Sequence, residues 1–500
     1  MGGPVDHVGF HARLSPERLA AADLTSGRRW TYADLDRAVG ACAAVLRRRH
    51  GVRRGDRVAS LARNCVEQVL LHLACARTGL IFVPLNWRLS VPEIAAVVDD
   101  AEPGVIFGDA ELDRMGLAGA PLAELSAAID AAEPLPTEAV DADAPSLMLF
   151  TSGTSGRPKG VLLSEANVEQ TAINFGLFGR VTPGSVFLVD APMFHVIGLV
   201  TSVRPALMFG GAFLTSDAFQ PPRTLARMAD PNLAVTHYFC VPQMAATLRA
   251  DPAFDPSSLR GMTAIFTGGA PHAPEAIRAW LRDGIPVSDG FGMTEAGTVF
   301  GMPLDPALID AKAGSAGVAP PTVQTRIVDA EARDCPPGAA GELLLRGRGV
   351  FSAYWRRPEE TAAAFTADGW FRTGDIARCD GEGFHWLVDR RKDMFISGGE
   401  NVYPAEIENA LVGFPGIAEC AVIGVPDPQW GEVGICVLAP ASVGEPVIEA
   451  VQAHLAARLA RYKLPRRFVV LEALPRTGSG KVMKSELRRQ LVEDMGVRGA

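Results

Sequence analysis

Leu149-Phe150-Thr151-Ser152-Gly153-Thr154-Ser155-Gly156-Arg157-Pro158-Lys159-Gly160-Val161 is the stretch from which the rest of the chain is read. An apolar strand runs straight into four hydroxyl side chains, three glycines and a lysine within ten positions. Glycines let successive backbone N–H groups converge on an anion, and hydroxyls donate further hydrogen bonds. Lys159 adds a positive charge, so the set suits a polyphosphate. The spacing is not that of a P-loop, because Gly160 and not Ser or Thr follows the lysine. The plainer reading is a flexible polar loop, and the segment alone leaves both open.

On either side of this stretch the chain alternates helix-like and strand-like segments. Tyr32 to Arg49 reads as an amphipathic helix capped by Thr31. Arg57 to Leu61 and Leu80 to Leu85 read as buried strands with the helix Val66 to Ala76 between them, followed by a helix at Pro92 to Asp100 and a strand at Gly104 to Gly108. Strand–helix–strand order implies a parallel sheet with crossover helices. The acidic, Pro-bearing stretch Ala131 to Ala144 reads as an exposed connector, and a second α/β alternation runs from Leu147 to about Gly290. From Val318 to Val388 short strands and Gly/Pro turns dominate: Val323 to Val328, Gly341 to Arg346, Gly374 to Arg378 and Gly383 to Val388. That piece reads as antiparallel or barrel-like. After the charge run Asp389-Arg390-Arg391-Lys392-Asp393, helices are expected at Pro404 to Leu411 and Glu445 to Leu459, with strands at Ile417 to Gly424 and Gly434 to Leu438. The expected fold is α/β. A large N-terminal domain of two α/β subdomains plus a β-barrel-like subdomain (1–390) joins a small mobile α+β C-terminal domain (394–500) through a hinge at 391–393.

The 500 residues are 48% hydrophobic and 21% charged, enough apolar material for a large core and too much for a disordered chain. A net charge of −9 argues against a general nucleic-acid binder. The eight cysteines form no C-x-x-C pair, so neither a zinc site nor a disulfide framework is expected and a cytoplasmic location is. Met1 to Phe10 lacks the basic-then-apolar order of a signal peptide. The longest apolar run, around Val66 to Leu85, is interrupted by Glu67, His72 and Arg77, so no integral membrane segment is expected.

The Thr151–Lys159 string resembles the phosphate-binding signature of the adenylate-forming (ANL) superfamily, in its acyl-CoA synthetase branch. Further segments resemble that family's signatures in order. Pro192-Met193-Phe194-His195-Val196-Ile197-Gly198 looks like the second, which implies that His195 lies near the substrate carboxylate and gates the acid and thiol paths. Thr267-Gly268-Gly269-Ala270-Pro271 is similar to the loop beside the adenine. Asp289-Gly290-Phe291-Gly292-Met293-Thr294-Glu295 resembles the next. It implies a purine stacked on Phe291, a phosphate oxygen held by Thr294, and Mg2+ ligated by Glu295 with Thr154. Many relatives have Tyr where Phe291 stands; stacking survives that change. Asp375, in Trp370-Phe371-Arg372-Thr373-Gly374-Asp375, is implied as acceptor for the ribose hydroxyls, and Arg390 as a ribose or phosphate partner. Lys392 falls at the family's hinge. Gly398, Gly399 and Glu400 fall where coenzyme A passes the backbone. Lys481, in Pro475-Arg476-Thr477-Gly478-Ser479-Gly480-Lys481, is the implied catalytic lysine.

The resemblance implies an ATP-dependent acid–thiol ligase that forms an acyl-adenylate and then a coenzyme A thioester. Implied partners are ATP, Mg2+, coenzyme A and a small carboxylic acid. The acid-pocket candidates Phe194, His195, Val196, Leu199, Phe239, Gly292, Met293 and Met302 offer no Asp for an amino group, which disfavours amino acids. A medium or long aliphatic acid is favoured, with an aryl or arylpropenoic acid beside it. Loading onto an acyl carrier protein is the alternative acceptor. A non-enzymatic nucleotide sensor is the reading from another class; it calls for loss of Lys481 or Glu295, and both are present.

Overall fold

The computed structural model describes residues 6–151, 158–270, 272–390, 393–397, 400–427, 430–441, 448–459, 461–476 and 482–494. They fall into two compact units, Met1–Thr325 with Leu345–Phe371, and Arg326–Leu344 with Arg372–Ala500.

The first unit is built on two sheets. One has eight strands in the order Gly297–Gly301, Val287–Met293, Ala264–Thr267, His237–Cys240, Val186–Val189, Ala212–Thr215, Leu19–Asp23, Arg29–Thr31. Its six central strands run parallel, and the outermost strand at each end is antiparallel. The other has seven strands in the order Ala353–Tyr354, Lys159–Ser164, Pro145–Thr151, Ile81–Pro84, Arg57–Leu61, Val105–Gly108, Ala120–Pro121. Central strands such as Ile-Phe-Val-Pro and Ala-Ile-Phe-Thr are apolar at nearly every position, as strands covered on both faces by crossover helices must be. Helix Tyr32–Arg48 starts where the sequence implies: Thr31 Oγ1 accepts from Asp34 N, and the Asp34 carboxylate accepts from Thr31 N. Helix Val66–Thr78 runs two residues past its expected end and stops at Gly79 in the left-handed conformation. The 132–144 connector is tied down: Leu135 N donates to Gly40 O, and Arg47 pairs with Glu138 at 3.0 Å.

The second unit carries most of the four-stranded sheet Gln324–Val328, Gly341–Arg346, Phe371–Cys379, His385–Arg390, as the sequence implies for the region after Val318. It also carries a sheet in the order Glu400–Val402, Phe395–Ser397, Gly431–Pro440, Ile417–Asp427, with Arg467–Val470 paired parallel to Gly431–Pro440. Helices Pro404–Leu411, Ile448–Ala456 and Lys484–Asp494 accompany it. The last of these, the Phe395–Val402 hairpin and Arg467–Val470 are not marked in the sequence. Strands of three or four residues are too short for a period, and the terminal helix carries mostly polar side chains around a buried Leu487.

One buried polar network backs the strand that leads into the hydroxyl-rich loop. Glu165, first residue of helix Glu165–Gly179, receives Ser146 Oγ at 2.8 Å and Arg204 Nη2 at 2.5 Å, and His72 Nε2 lies 3.3 Å from its carboxylate. Burial alone raises a carboxyl, but the Arg204 guanidinium and His72 hold Glu165 below its ordinary range. Burial also pushes His72 down, so it is neutral. Removing Arg204 leaves an anion buried beside a neutral imidazole. Arg204→Met is expected to lose about 3–5 kcal/mol of stability, read as a lower urea midpoint. An unchanged midpoint would show that the pair carries no net weight.

Candidate functional site

The parallel strands of the eight-stranded sheet end side by side, and the candidate segments hang from those ends. Cys240 pairs with Thr267, and Thr267 pairs with Asp289. Thr267-Gly268-Gly269-Ala270 follows one strand, and Asp289 to Met293 extends the next. Ala191 to His195 follows the Val186–Val189 strand. The carboxyl ends of parallel strands are where open α/β sheets take their ligands.

Val287–Met293 turns through residues 294–296 into Gly297–Gly301, so Thr294 and Glu295 occupy a three-residue hairpin loop and not a helix cap. Gly297 closes it at φ +62°, and a Cβ there would stand 1.8 Å from Thr171 Oγ1. On the facing strand a Cβ on Gly292 would meet Gly297 O at 2.3 Å. These two glycines let the loop lie flat and bring Glu295 to a fixed depth, 9% exposed. Tyr354 Oη donates to Glu295 Oε1 at 3.0 Å, and Phe351 N donates to Glu295 O at 2.7 Å. Lys159 stands opposite Thr151 at the mouth of the hairpin formed by Pro145–Thr151 and Lys159–Ser164, and its Nζ lies 5.2 Å from the Tyr354 ring centroid. Residues 152–157 lie outside the described residues, so Ser152, Gly153, Thr154, Ser155 and Gly156 are placed only by sequence.

His195 opens onto a π-helical turn, Ile197–Thr201, in which Ser202 N donates to Ile197 O. Such turns often mark functional sites. His195 N donates to Pro192 O, and the ring sits 4.6 Å from Phe194. Asn64, which no motif marks, clamps this segment: its Nδ2 donates to Ala191 O and its Oδ1 accepts from Met193 N, both at 2.9 Å. Of the acid-pocket candidates, Phe194, Leu199 and Met302 are buried, while Val196, Phe239, Gly292 and Met293 are half-buried. Phe291 is half-buried, with its ring 5.8 Å from Phe300.

Asp289 faces inward. Thr267 Oγ1 donates to Asp289 Oδ1 at 2.9 Å and lies 3.0 Å from His272 Nδ1. Burial pushes the Asp289 carboxyl up to about 8, and burial pushes His272 down to about 4. Both are therefore neutral at pH 7, a state that sequence spacing does not reveal.

In the second unit Asp375 lies directly opposite Arg390 on the antiparallel pair Phe371–Cys379 and His385–Arg390. Asp375 is 5% exposed, and its N–H donates to Thr373 Oγ1 at 3.0 Å. Glu400 stands opposite Ser397 in the Phe395–Val402 hairpin. Lys392, Gly398, Gly399 and Lys481 lie outside the described residues. Among the described residues no group of three or more His, Cys, Asp or Glu could hold a metal. Glu295 offers the carboxylate oxygens that a hard cation such as Mg2+ takes together with phosphate and water oxygens.

The chain matches the AMP-binding enzyme family over residues 10–355 and the AMP-binding enzyme C-terminal domain over residues 406–481. It is 40% identical over 486 residues to a feruloyl-CoA synthase of Amycolatopsis sp, covering 96% of this chain and 97% of that protein. It is 34% identical over 498 residues to a long-chain-fatty-acid–CoA ligase of Mycobacterium tuberculosis, covering 96% of each. Its structure is similar to that of o-succinylbenzoate CoA synthetase from Bacillus subtilis in complex with its acyl-adenylate intermediate, with TM-score 0.87, 32% identity and 98% of both chains covered.

Because an unfolded Asp289 ionises near 3.8 while the folded one keeps its proton to about 8, the stability this group contributes falls as pH rises across that window. Asp289→Asn, neutral throughout, is expected to gain thermal midpoint over the wild type between about pH 5 and pH 8. Parallel midpoint curves for the two proteins would refute the buried neutral carboxyl.

Proposed function

The chain belongs to the AMP-binding enzyme family, and from that premise we propose that it activates a carboxylic acid with ATP and passes the acyl group to coenzyme A. The observation that carries this reading is the grouping of the His195, Thr267–Ala270 and Asp289–Glu295 segments at adjacent carboxyl ends of one parallel sheet, with Glu295 and Lys159 both against Tyr354.

A carboxylate resists nucleophilic displacement because its leaving group would be oxide. In the proposed first step a carboxylate oxygen attacks the α-phosphorus of ATP and the bond to pyrophosphate breaks. In the second the thiol sulfur of coenzyme A attacks the acyl carbonyl and the bond to AMP breaks. Thr151 and Lys159, with 152–156 between them, hold the β- and γ-phosphates. Phe291 offers a face to the purine, the Gly269–Ala270 backbone and the Asp289–Met293 strand border it, and Asp375 with Arg390 takes the ribose. Glu295, with Thr294 and Thr154 beside the phosphates, would hold Mg2+, which supplies charge stabilisation at the transferring phosphoryl group. Lys481 stabilises the negative charge that develops on the α-phosphate.

Lys481 and an incoming thiol need the same face of the carbonyl. We infer a division at 391–393 between an adenylating part and a C-terminal part, with Lys392 as the hinge whose rotation withdraws Lys481 and presents Gly398, Gly399 and Glu400 to coenzyme A. The acid side is apolar: Val196, Phe239 and Met293 are half-buried without a carboxylate among them. A medium or long aliphatic acid fits this lining. The feruloyl-CoA synthase relative, at 40% identity, favours an arylpropenoic acid as the second reading. An acid panel scored by pyrophosphate release, with and without coenzyme A, separates the two and also tests the acceptor. No described helix is long and apolar enough to cross a membrane, and all eight cysteines are free, which supports a cytosolic setting.

Lys481→Ala is expected to slow acyl-adenylate formation by about 10²–10³ while thioester formation from supplied acyl-adenylate largely survives. Equal losses in both half-reactions would remove Lys481 from the first step. Lys392→Pro is expected to do the reverse, keeping pyrophosphate release and losing the thioester; a variant still competent in both would end the hinge assignment.

A further inference from the structure

Tyr354 carries no motif and no assigned role, yet it touches both charged groups that flank the phosphate loop. Its hydroxyl donates to Glu295 Oε1 at 3.0 Å, and Lys159 Nζ lies over its ring at 5.2 Å. We propose that Tyr354 is a positioning residue of the nucleotide site, whose hydroxyl aims the Glu295 carboxylate and whose ring face seats the Lys159 ammonium. The inference deepens the nucleotide-activating function proposed above and rests on it.

The backbone that presents Tyr354 is held on every side. Ala353 and Tyr354 pair with Leu162 and Val161, and Trp355 N donates to Gly160 O at 2.7 Å. Tyr354 N donates to Thr361 Oγ1 at 3.0 Å. The next residues are bolted to helix Val91–Ala101 and its cap. Trp355 Nε1 donates to Asp100 O, Arg357 pairs with the Asp100 carboxylate, and Arg356 grips Glu102 through two bonds of 2.7 and 2.6 Å. Arg356 sits at φ +51°, a left-handed conformation that a non-glycine residue keeps only when its surroundings impose it. This much restraint on a two-residue strand is more than packing one ring requires.

The chemistry of the pair explains why a phenol stands there. The tyrosine hydroxyl donates one hydrogen bond to the Glu295 carboxylate and so fixes the direction in which its second oxygen points. The same ring offers its electron-rich face to Lys159, which holds the ammonium without using any of its three N–H donors. Packing against Phe351, at 4.6 Å between centroids, calls for the ring alone, and phenylalanine would supply it. The hydroxyl is the part with a specific task.

The test compares wild type, Tyr354→Phe, Tyr354→Leu, Glu295→Gln and the Tyr354→Phe/Glu295→Gln double variant. Calorimetric ATP binding is measured across a Mg2+ series, together with ATP–pyrophosphate exchange. Tyr354→Phe keeps the ring, so ATP affinity without Mg2+ is expected to stay within about twofold of wild type, while the Mg2+ needed for half-maximal enhancement rises about tenfold. Tyr354→Leu is expected to weaken Mg2+-free ATP binding as well, by about threefold or more, because Lys159 loses its seat. The double variant is expected to match Glu295→Gln alone, since the hydroxyl acts only through that carboxylate. A Tyr354→Phe protein with the Mg2+ requirement of wild type overturns the assignment, as does full additivity in the double variant. Should Tyr354→Leu fail to fold, Tyr354→Phe and the double variant decide. Wild type that binds no Mg2+-ATP at all would instead bring down the nucleotide reading itself, a result distinct from a wild type that binds and a Tyr354→Phe that is indifferent.

Discussion

The hydrogen bond from the Tyr354 hydroxyl to the nearly buried Glu295 carboxylate ties a loop at the end of the eight-stranded sheet to the edge strand of the seven-stranded one. The three-residue loop 294–296 exists because Gly297 accepts a left-handed turn and because Gly292 and Gly297 let two strands and Thr171 close up without a side chain between them. The loop holds the carboxylate at a fixed depth, where Tyr354 donates to it from the neighbouring sheet. Because Tyr354 also carries Lys159, the acid on one sheet and the base on the other share a reference point.

Three of the buried carboxyls in the unit show how charge follows surroundings. Glu165 is deep and charged, so it is compensated by Arg204 with Ser146 and His72 beside it; its work is to lock a helix onto the strand that leads into the hydroxyl-rich loop. Asp289 is equally deep but lacks a cation, so it keeps its proton and acts as a neutral strut with Thr267 and His272. Asp190 accepts from the Thr224 hydroxyl, and burial raises it too. Glu295, nearly buried as well, accepts from the Tyr354 hydroxyl.

Of the two proposed half-reactions, the first makes and breaks bonds at the α-phosphorus and the second at the acyl carbon, one bridging oxygen away. The candidate residues fall in both compact units: Thr151, Lys159, His195 and Glu295 in the first, Asp375 and Arg390 in the second. Of the acid-pocket candidates, Phe194, Leu199 and Met302 are core residues, while Val196, Phe239 and Met293 keep exposed surface.

The sequence alone determined the family, the alternating α/β architecture and the order of chemistry-bearing segments. Those are local properties: a Gly/Ser/Thr run after an apolar strand, the Thr31 capping box, and apolar runs between helices are legible wherever chain neighbours are also contact neighbours. Element ends shifted by a few residues because caps and left-handed glycines, not periodicity, stop a helix. The short strands Phe395–Ser397, Glu400–Val402 and Arg467–Val470 could not be read, since their β character comes from the partner strand. Only the tertiary structure decided which side chains meet. Tyr354 lies 59 residues from Glu295 along the chain, and Asn64 lies 127 from Ala191, so no spacing rule reaches either pair. The neutral state of Asp289 was equally hidden, because the residue type carries a charge by default and only the burial imposed by the surrounding sheets removes it.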